Sequence, residues 1–410
     1  MEHEQQLKLL DELIAHIEAG KDADAGKIVV NNAASYIDEN RAEREWDLMF
    51  RNHPQLIGLS GDIPKAGDYF RHDLLGMSVI ALRDDHGKFR VFLNACRHRG
   101  AQVCEDSRGN RKRFSCPFHG WTYDTSGALR AVTENKNFGY IDQGNFNLIE
   151  LPSEEFSGML WFHPQREASL NVRSILGPLA DELASWDLHT HVLAGENTVK
   201  CNFNWKLAND TFGENYHFKR LHKQTLNNIA IGDAHLFETF SRHSRLIFGS
   251  RGIEKLHDKP RDKWRLDGAT TILYYLYPNI QLVVSGRQLT LFGIYPEGPT
   301  AKRSVTKVKH YFSPDALAMI ESADKTVIDG DNVYRLDARD GNAIISPAAA
   351  MEVINSTLEH EDFRMAEMTQ RSAESGQLKE FVFGRNEPAL QHFHNTFHET
   401  LGLAPLSELT

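Results

Sequence analysis

Two short stretches each place a cysteine beside a histidine. The first reads Cys96-Arg97-His98-Arg99-Gly100, and the second reads Cys116-Pro117-Phe118-His119-Gly120-Trp121. Residues 99–115 lie between His98 and Cys116. Two thiolates and two imidazoles can hold a [2Fe–2S] cluster, the thiolates on one iron and the imidazoles on the other. They also suit structural zinc, but zinc motifs usually pair Cys with Cys and His with His along the chain. Here each pair is mixed, which favours the cluster held by Cys96, His98, Cys116 and His119. Gly100 and Gly120 permit tight turns close to the sulfurs, and Pro117 stiffens the second loop. Neutral imidazoles raise the reduction potential above that of all-thiolate clusters. Their outer nitrogens are expected to face solvent, giving electrons an exit.

A cluster of this kind needs an acceptor. Asn204-Trp205-Lys206 leads into Asn209-Asp210-Thr211-Phe212-Gly213-Glu214-Asn215-Tyr216-His217, and His222 follows. Two histidines and one carboxylate on one face of an octahedron form a non-haem Fe(II) oxygenase site, with positions open for O2 and substrate. At about 100° per residue, an i, i+5 pair diverges on an ideal helix, so a bulge or a helix end is expected there. Glu214, at i−3 from His217, is placed to orient that imidazole. Taken alone, the histidine pair reads more readily as a surface pair than as a metal site.

The two Cys/His loops change that balance, because they resemble those of the large (α) subunits of Rieske non-haem iron oxygenases, the ring-hydroxylating oxygenases. Respiratory Rieske proteins carry two further cysteines that form a disulfide. The matching positions here are Ala101 and Phe118, which points to the oxygenase branch and a reducing compartment. The second stretch resembles the family's acid-x-Tyr-His motif with its following histidine. A late Glu-Asp pair with a downstream Gln completes the family pattern, and Glu361-Asp362 with Gln370 matches it. The resemblance therefore implies His217, His222 and Asp362 as iron ligands, with Asp337, Asp340 and Glu361 as alternatives for the carboxylate. It implies a catalytic role for Glu214, bridging the iron histidine to a cluster histidine of a neighbouring subunit. Most members have Asp at this position; some acting on quaternary amines have Glu. Asn209-Asp210 stands where many aromatic dioxygenases have Glu-Asn.

The activity so implied is that of a terminal oxygenase. Electrons from NAD(P)H pass through a reductase, with or without a ferredoxin, to the [2Fe–2S] cluster and on to mononuclear Fe(II). The substrate is a small organic molecule, with an aromatic ring undergoing dihydroxylation as the first reading. Monooxygenation of a quaternary amine, by N-demethylation or C–N cleavage, is the alternative. A non-enzymatic electron carrier or hydrophobic-ligand module is a further one. The resemblance implies a homotrimer, with or without a small β subunit. No Gly-rich dinucleotide motif is present, so NAD(P)H and flavin are expected to bind elsewhere.

The elements that must position these residues divide the chain into three expected segments: residues 1–48, a helical segment packing on the catalytic domain; 49–160, the Rieske domain; and 161–410, the mononuclear iron domain. In the first, Leu10, Leu13, Ile14 and Ile17 recur at helical spacing over 5–19, and 28–50 reads as helical with a break near Asn31-Asn32. Short β-type runs between tight turns fill the second, giving a small antiparallel domain. In the third, helices are expected over Leu170–Trp186, Asn204–His222, 314–325, 347–375 and Glu387–Leu401. Strands are expected over Thr270–Tyr277, Ile280–Val284, Leu289–Tyr295 and Ser304–Phe312. The class is α+β, with a helix-grip, START-like catalytic domain. Tyr274, Tyr275 and Tyr277 read first as core and second as a cage for a cationic substrate. His392, His394 and His398 read as a packed or solvated helix face.

Over 410 residues the formal net charge is −10, with no long basic run, which argues against nucleic acid or an anionic membrane as partner. No apolar stretch approaches the ~20 residues of a membrane span, and no secretory signal opens the chain, so the cytoplasm is the expected location. Of the four cysteines, Cys104 and Cys201 are expected as buried free thiols.

Overall fold

The structure, a computed structural model, describes residues 1–139, 141–322 and 347–409. The chain forms two compact units. One comprises Met1–Glu45, Leu176–Trp186 and His191–Thr410, and the other Trp46–Ile175 with Asp187–Thr190. Among the described residues, no helix is long and apolar enough to cross a membrane. All four cysteines are free and buried.

The smaller unit is built from short antiparallel strands. A five-stranded sheet contains Asp68–His72, Val79–Arg83 and Phe89–Leu93 at its centre. A three-stranded sheet contains Arg113–Ser115, Thr122–Asp124 and Leu129–Ala131. Tyr69, Ile80, Phe92, Phe114, Trp121 and Tyr123 pack into one core that also takes in Cys96 and Cys116. The two cluster loops leave this core, so their thiols lie inside while His98 and His119 are half-buried.

The larger unit is organised by a seven-stranded antiparallel sheet. Its spatial order is Val192–Cys201, Ser304–Phe312, Gln288–Pro296, Ile280–Ser285, Thr270–Leu276, His243–Ser250 and Ala230–Phe240. Four of these strands match the sequence expectation closely; Val192–Cys201, Ala230–Phe240 and His243–Ser250 were not anticipated. Cross-strand register fixes which side chains share a face. Phe292, opposite Gln281, packs on Phe212, and Tyr275 packs on Phe393 of the helix Pro388–Thr400. On the other face, Tyr274 and Arg245 both reach Glu182 of the helix Leu179–Ala184.

Several expected helices are shorter than their hydrophobic pattern suggests. Residues 28–50 begin with a strand, Val29–Asn32, paired to Glu380–Phe383, before the helices Ala34–Ile37 and Glu39–Glu45. Leu170–Trp186 resolves into Val172–Leu176 and Leu179–Ala184, parted at Gly177-Pro178, where proline cannot continue a helix. The expected helix Asn204–His222 is helical only over Trp205–Asp210. Asn204 caps it by accepting from the Lys206 amide at 3.0 Å. That helix is anchored by a buried ion pair: Glu45 accepts from Lys206 Nζ at 2.5 Å and from Trp205 Nε1 at 3.0 Å.

Candidate active site

In the first constellation the two loops repeat one backbone pattern. The Gly100 amide donates to Cys96 O at 2.8 Å, and the Gly120 amide to Cys116 O at 2.9 Å. Cys96 and Cys116 then donate to Ala101 O and Trp121 O at 2.7 and 2.8 Å. Both glycines take left-handed φ, +78° and +70°, which a side chain would strain. The turns bring His98 Nδ1 and His119 Nδ1 to 3.2 Å from each other. Trp121 stacks on the His98 ring at 5.2 Å and 11°. Tyr123 Oη lies 3.4 Å from Cys96 Sγ and accepts from the Arg97 amide at 3.0 Å. Two inward thiols and two facing imidazole nitrogens fit the donor set of a [2Fe–2S] cluster with mixed ligands. The outer nitrogen of His119 is not bare, because Arg99 Nη2 lies 3.0 Å from its Nε2 and stacks on Phe118.

The second constellation forms where the helix Trp205–Asp210 gives way to successive turns. His217 O accepts from the Leu221 amide at 2.8 Å, and His222 O from the Thr225 and Asn227 amides at 3.1 Å. These turns, not a continuous helix, bring the i, i+5 pair together, with Nε2 of His217 3.0 Å from Nε2 of His222. Asp362 arrives from the other end of the unit. It closes a π-helical turn, Leu358–Asp362, between the helices Pro347–Thr357 and Phe363–Glu374. Such turns re-aim side chains and recur at functional sites. Asp362 Oδ1 lies 3.1 Å from His222 Nε2 and 3.5 Å from His217 Nε2. Among the described residues, this is the group of three His, Cys, Asp or Glu side chains placed to share one ion. Asp337 and Asp340 lie outside the described residues.

The hydrogen-bond partners of the two imidazoles fit this group to an ion. His217 Nδ1 lies 2.5 Å from Glu214 Oε1, and His222 Nδ1 lies 2.5 Å from Glu361 Oε2. Each imidazole therefore donates its Nδ1–H to a carboxylate and turns a bare Nε2 lone pair inward. Two such nitrogens and the Asp362 Oδ1 converge on one point. Without a cation this arrangement is repulsive, and with one it is a facial triad. The charge balance says the same. Burial disfavours a charged His222, yet the Asp362 and Glu361 carboxylates outweigh it and raise the pKa of the imidazole above its ordinary value.

Glu361, weighed in the sequence as a possible ligand, instead takes the role that Glu214 takes on His217; it also accepts from Thr225 Oγ1 at 2.9 Å. Gln370 lies away from the triad, its Oε1 accepting from the Asn204 amide at 3.1 Å. Asp210 turns from the triad into a buried network. It accepts from Tyr36 Oη at 2.6 Å and lies 2.9 Å from His394 Nε2, while His394 Nδ1 meets Asn31 Nδ2 at 3.2 Å. His394 is thus a packed histidine, and the network ties four separate segments around the start of the ligand loop. Sequence reading missed it, since its members span residues 31–394 and share no local pattern.

The triad opens onto a cavity of about 420 Å³, within the usual range for small-molecule sites. Phe212, Phe218, Leu226 and Ile229 line it from the histidine-bearing loop, Ala350, Val353 and Ile354 from the helix Pro347–Thr357, and Leu358 from the π-helical turn. The charged side chains on its wall, among the described residues, are Glu214 and Asp362 beside the two histidines. Tyr274, Tyr275 and Tyr277 do not line it. Their hydroxyls donate to Glu182 at 2.7 Å, donate to Pro278 O at 2.9 Å and pair with Thr400 Oγ1 at 2.7 Å, respectively.

Comparison with known proteins agrees with both constellations. Residues 53–150 match the Rieske [2Fe-2S] domain, and residues 183–402 match the ring hydroxylating alpha subunit catalytic domain. The chain is 28% identical over 299 residues to the benzene 1,2-dioxygenase subunit alpha of Pseudomonas putida, covering 72% of this chain and 62% of that protein. It is 28% identical over 185 residues to the glycine betaine monooxygenase oxygenase subunit of Chromohalobacter salexigens, covering 45% of this chain and 41% of that one. The match thus spans less than two thirds of these relatives' own lengths. The fold is shared with a quaternary ammonium Rieske monooxygenase crystallised with L-carnitine, at a TM-score of 0.71, 16% identity and coverage of 93% of this chain and 96% of that one. With the catalytic-domain match spanning more than half of the sequence, the chain belongs to the ring-hydroxylating oxygenase α-subunit family, joining a Rieske [2Fe–2S] domain to a mononuclear iron catalytic domain.

Proposed function

We propose that this chain is the terminal oxygenase component acting on a small, uncharged aromatic substrate, with ring dihydroxylation as the reaction. The observation that carries the reading is the cavity. Its walls are mainly apolar, four phenylalanines contribute to them, and its carboxylates are committed to the triad histidines or to the triad itself. A quaternary ammonium needs an aromatic cage or an unpaired carboxylate to replace its hydration. The tyrosines that suggested a cage in the sequence are hydrogen-bonded elsewhere, which withdraws that support from the amine reading.

In this reading Cys96, Cys116, His98 and His119 hold the cluster, and His217, His222 and Asp362 hold Fe(II). Held by these three residues, Fe(II) would supply the reductive chemistry that O2 needs beside the ring. The protein's own part is positional. Glu214 and Glu361 fix the Nδ1–H tautomer of each histidine, keeping Nε2 unprotonated. Phe212, Phe218, Phe248 and Phe292 present ring faces and edges to an aromatic guest and exclude water. Glu214 also bridges to a cluster histidine of a neighbouring subunit, which makes the working unit an oligomer, a homotrimer in this reading. A reductase, with or without a ferredoxin, is the electron donor.

The test combines reconstituted protein, a surrogate reductase and ferredoxin, and a panel of one- and two-ring aromatics and quaternary amines. Substrate-dependent NADH consumption with a cis-diol product is expected. Formaldehyde release from an amine with no ring diol would transfer the assignment to the monooxygenase reading. Light scattering of the same preparation reads the oligomeric state.

A further inference from the structure

We infer that the substrate carries a neutral hydrogen-bonding substituent on its ring, such as a carbonyl, hydroxyl or carboxamide, and that the sheet wall of the cavity recognises it. The inference rests on the aromatic reading above and narrows it. It comes from the order of side chains across the strands. Phe248, Thr271, Ser285 and Gln288 stand opposite one another on four neighbouring strands. The next row on the same face is Leu246, Leu273, Val283 and Thr290, continued by His310. Thr271, Ser285, Gln288 and Thr290 all line the cavity, so a polar stripe crosses a wall that faces apolar helix and loop residues.

A polar rim at a cavity mouth is satisfied by water, and Ser285 is exposed in that way. Thr290 is different. It is only 2% exposed, and its hydroxyl lies 3.3 Å from Nδ1 of the fully buried His310. Burial pushes the pKa of His310 down to about 4, so its imidazole is neutral under working conditions. If Nδ1 carries the proton, it donates to Thr290 and frees the threonine O–H for a ligand carbonyl. If Nδ1 is bare, Thr290 donates to it and keeps lone pairs for a ligand O–H or N–H. Either tautomer leaves Thr290 one directed bond for a guest, two residues from Gln288 on the same face. A carboxylate substituent fits poorly, because no Lys or Arg lines the cavity among the described residues.

An isosteric ligand pair tests this. Acetophenone and α-methylstyrene differ by C=O against C=CH2 and have nearly the same shape. Binding of each to the iron-loaded, cluster-containing protein, without O2, is measured by calorimetry. The wild type is expected to prefer acetophenone by roughly five- to ten-fold, the size of one neutral hydrogen bond. Thr290→Val is expected to bring that ratio close to one. Thr290→Ser, which keeps the hydroxyl, is expected to preserve it. Equal binding of acetophenone and α-methylstyrene, together with equal binding of 1-phenylethanol and the isosteric cumene, which reads the tautomer with a bare Nδ1, would overturn the inference without any variant. So would a preference that survives both Thr290→Val and Gln288→Leu. Equal affinity with both rings hydroxylated removes only this narrowing, whereas failure of both rings to bind and react removes the aromatic reading with it.

Discussion

Replacing Glu214 should loosen the mononuclear site in graded steps. Its Oε1 takes the Nδ1–H of His217 at 2.5 Å, and its Oε2 takes the His217 backbone amide at 3.0 Å. One carboxylate thus fixes both the tautomer of the ligand and the backbone that carries it. Glu214→Gln keeps an acceptor but loses the charge; Glu214→Ala loses both bonds. Partners of this kind typically contribute 10- to 100-fold in metal affinity. Glu214→Gln is therefore expected to weaken binding about ten-fold, and Glu214→Ala towards a hundred-fold, or about 1.4 and 2.7 kcal/mol. Titration of the apo catalytic site with Co(II), followed by its visible absorption, measures this directly and independently of turnover. Glu361→Gln, at the matching position on His222, serves as the parallel. At saturating iron, Glu361→Gln is expected to recover turnover, while Glu214→Gln is expected to remain slow if the proposed bridge between subunits runs through it. Affinities within two-fold of wild type in both Glu214 variants would refute the positioning argument. Full recovery of turnover in Glu214→Gln would refute the bridge.

Other expectations follow from buried charge and backbone geometry. Glu45→Gln strands Lys206 in the core, where both side chains are 1% exposed, and should cost about 3–5 kcal/mol in urea denaturation. Burial lowers the pKa of Lys206 to about 8 from 10.5 despite Glu45. Between those values the unfolded chain holds a proton that the folded chain has released. This group therefore adds stability as pH rises across that window, by about 3 kcal/mol at most; denaturation from pH 7.5 to 10 should show the slope in the wild type and its loss in Lys206→Met. Gly120→Ala and Gly100→Ala both place a side chain at left-handed φ, but only the former puts Cβ 2.6 Å from Thr133 Oγ1. Gly120→Ala should lose more cluster than Gly100→Ala, read from visible absorption and iron content.

Some of this architecture is local and was legible without coordinates. The proposed cluster donors lie within short turns whose glycines and spacing favour the geometry, so residue types and family resemblance are enough to single them out. Four strands of the large sheet announce themselves because alternation and turn residues are short-range signals. The strand Val29–Asn32 lies in a stretch of helical local pattern, but its partner, Glu380–Phe383, lies more than three hundred residues away, and pairing overrides local pattern. Val192–Cys201, an apolar start followed by Gly195-Glu196-Asn197-Thr198 and partly exposed, lacks the hydrophobic alternation that marks a half-buried strand.

The iron site divides in the same way. Chemical type and family pattern single out His217, His222, Asp362 and Glu214 in the sequence. Only the tertiary structure turns each Nδ1 to a carboxylate, makes Glu361 a hydrogen-bond partner of His222, and brings Asp362 to the pair through a π-helical turn. The proposed substrate preference rests on the tertiary structure as well. A cavity wall is assembled from rows across strands and a helix distant in sequence, so Thr290 and Gln288 acquire meaning only once register places them beside one another. The amino-acid sequence determined which atoms are able to bind metal. The packing of distant segments determined where their lone pairs point and what shape of molecule can approach them.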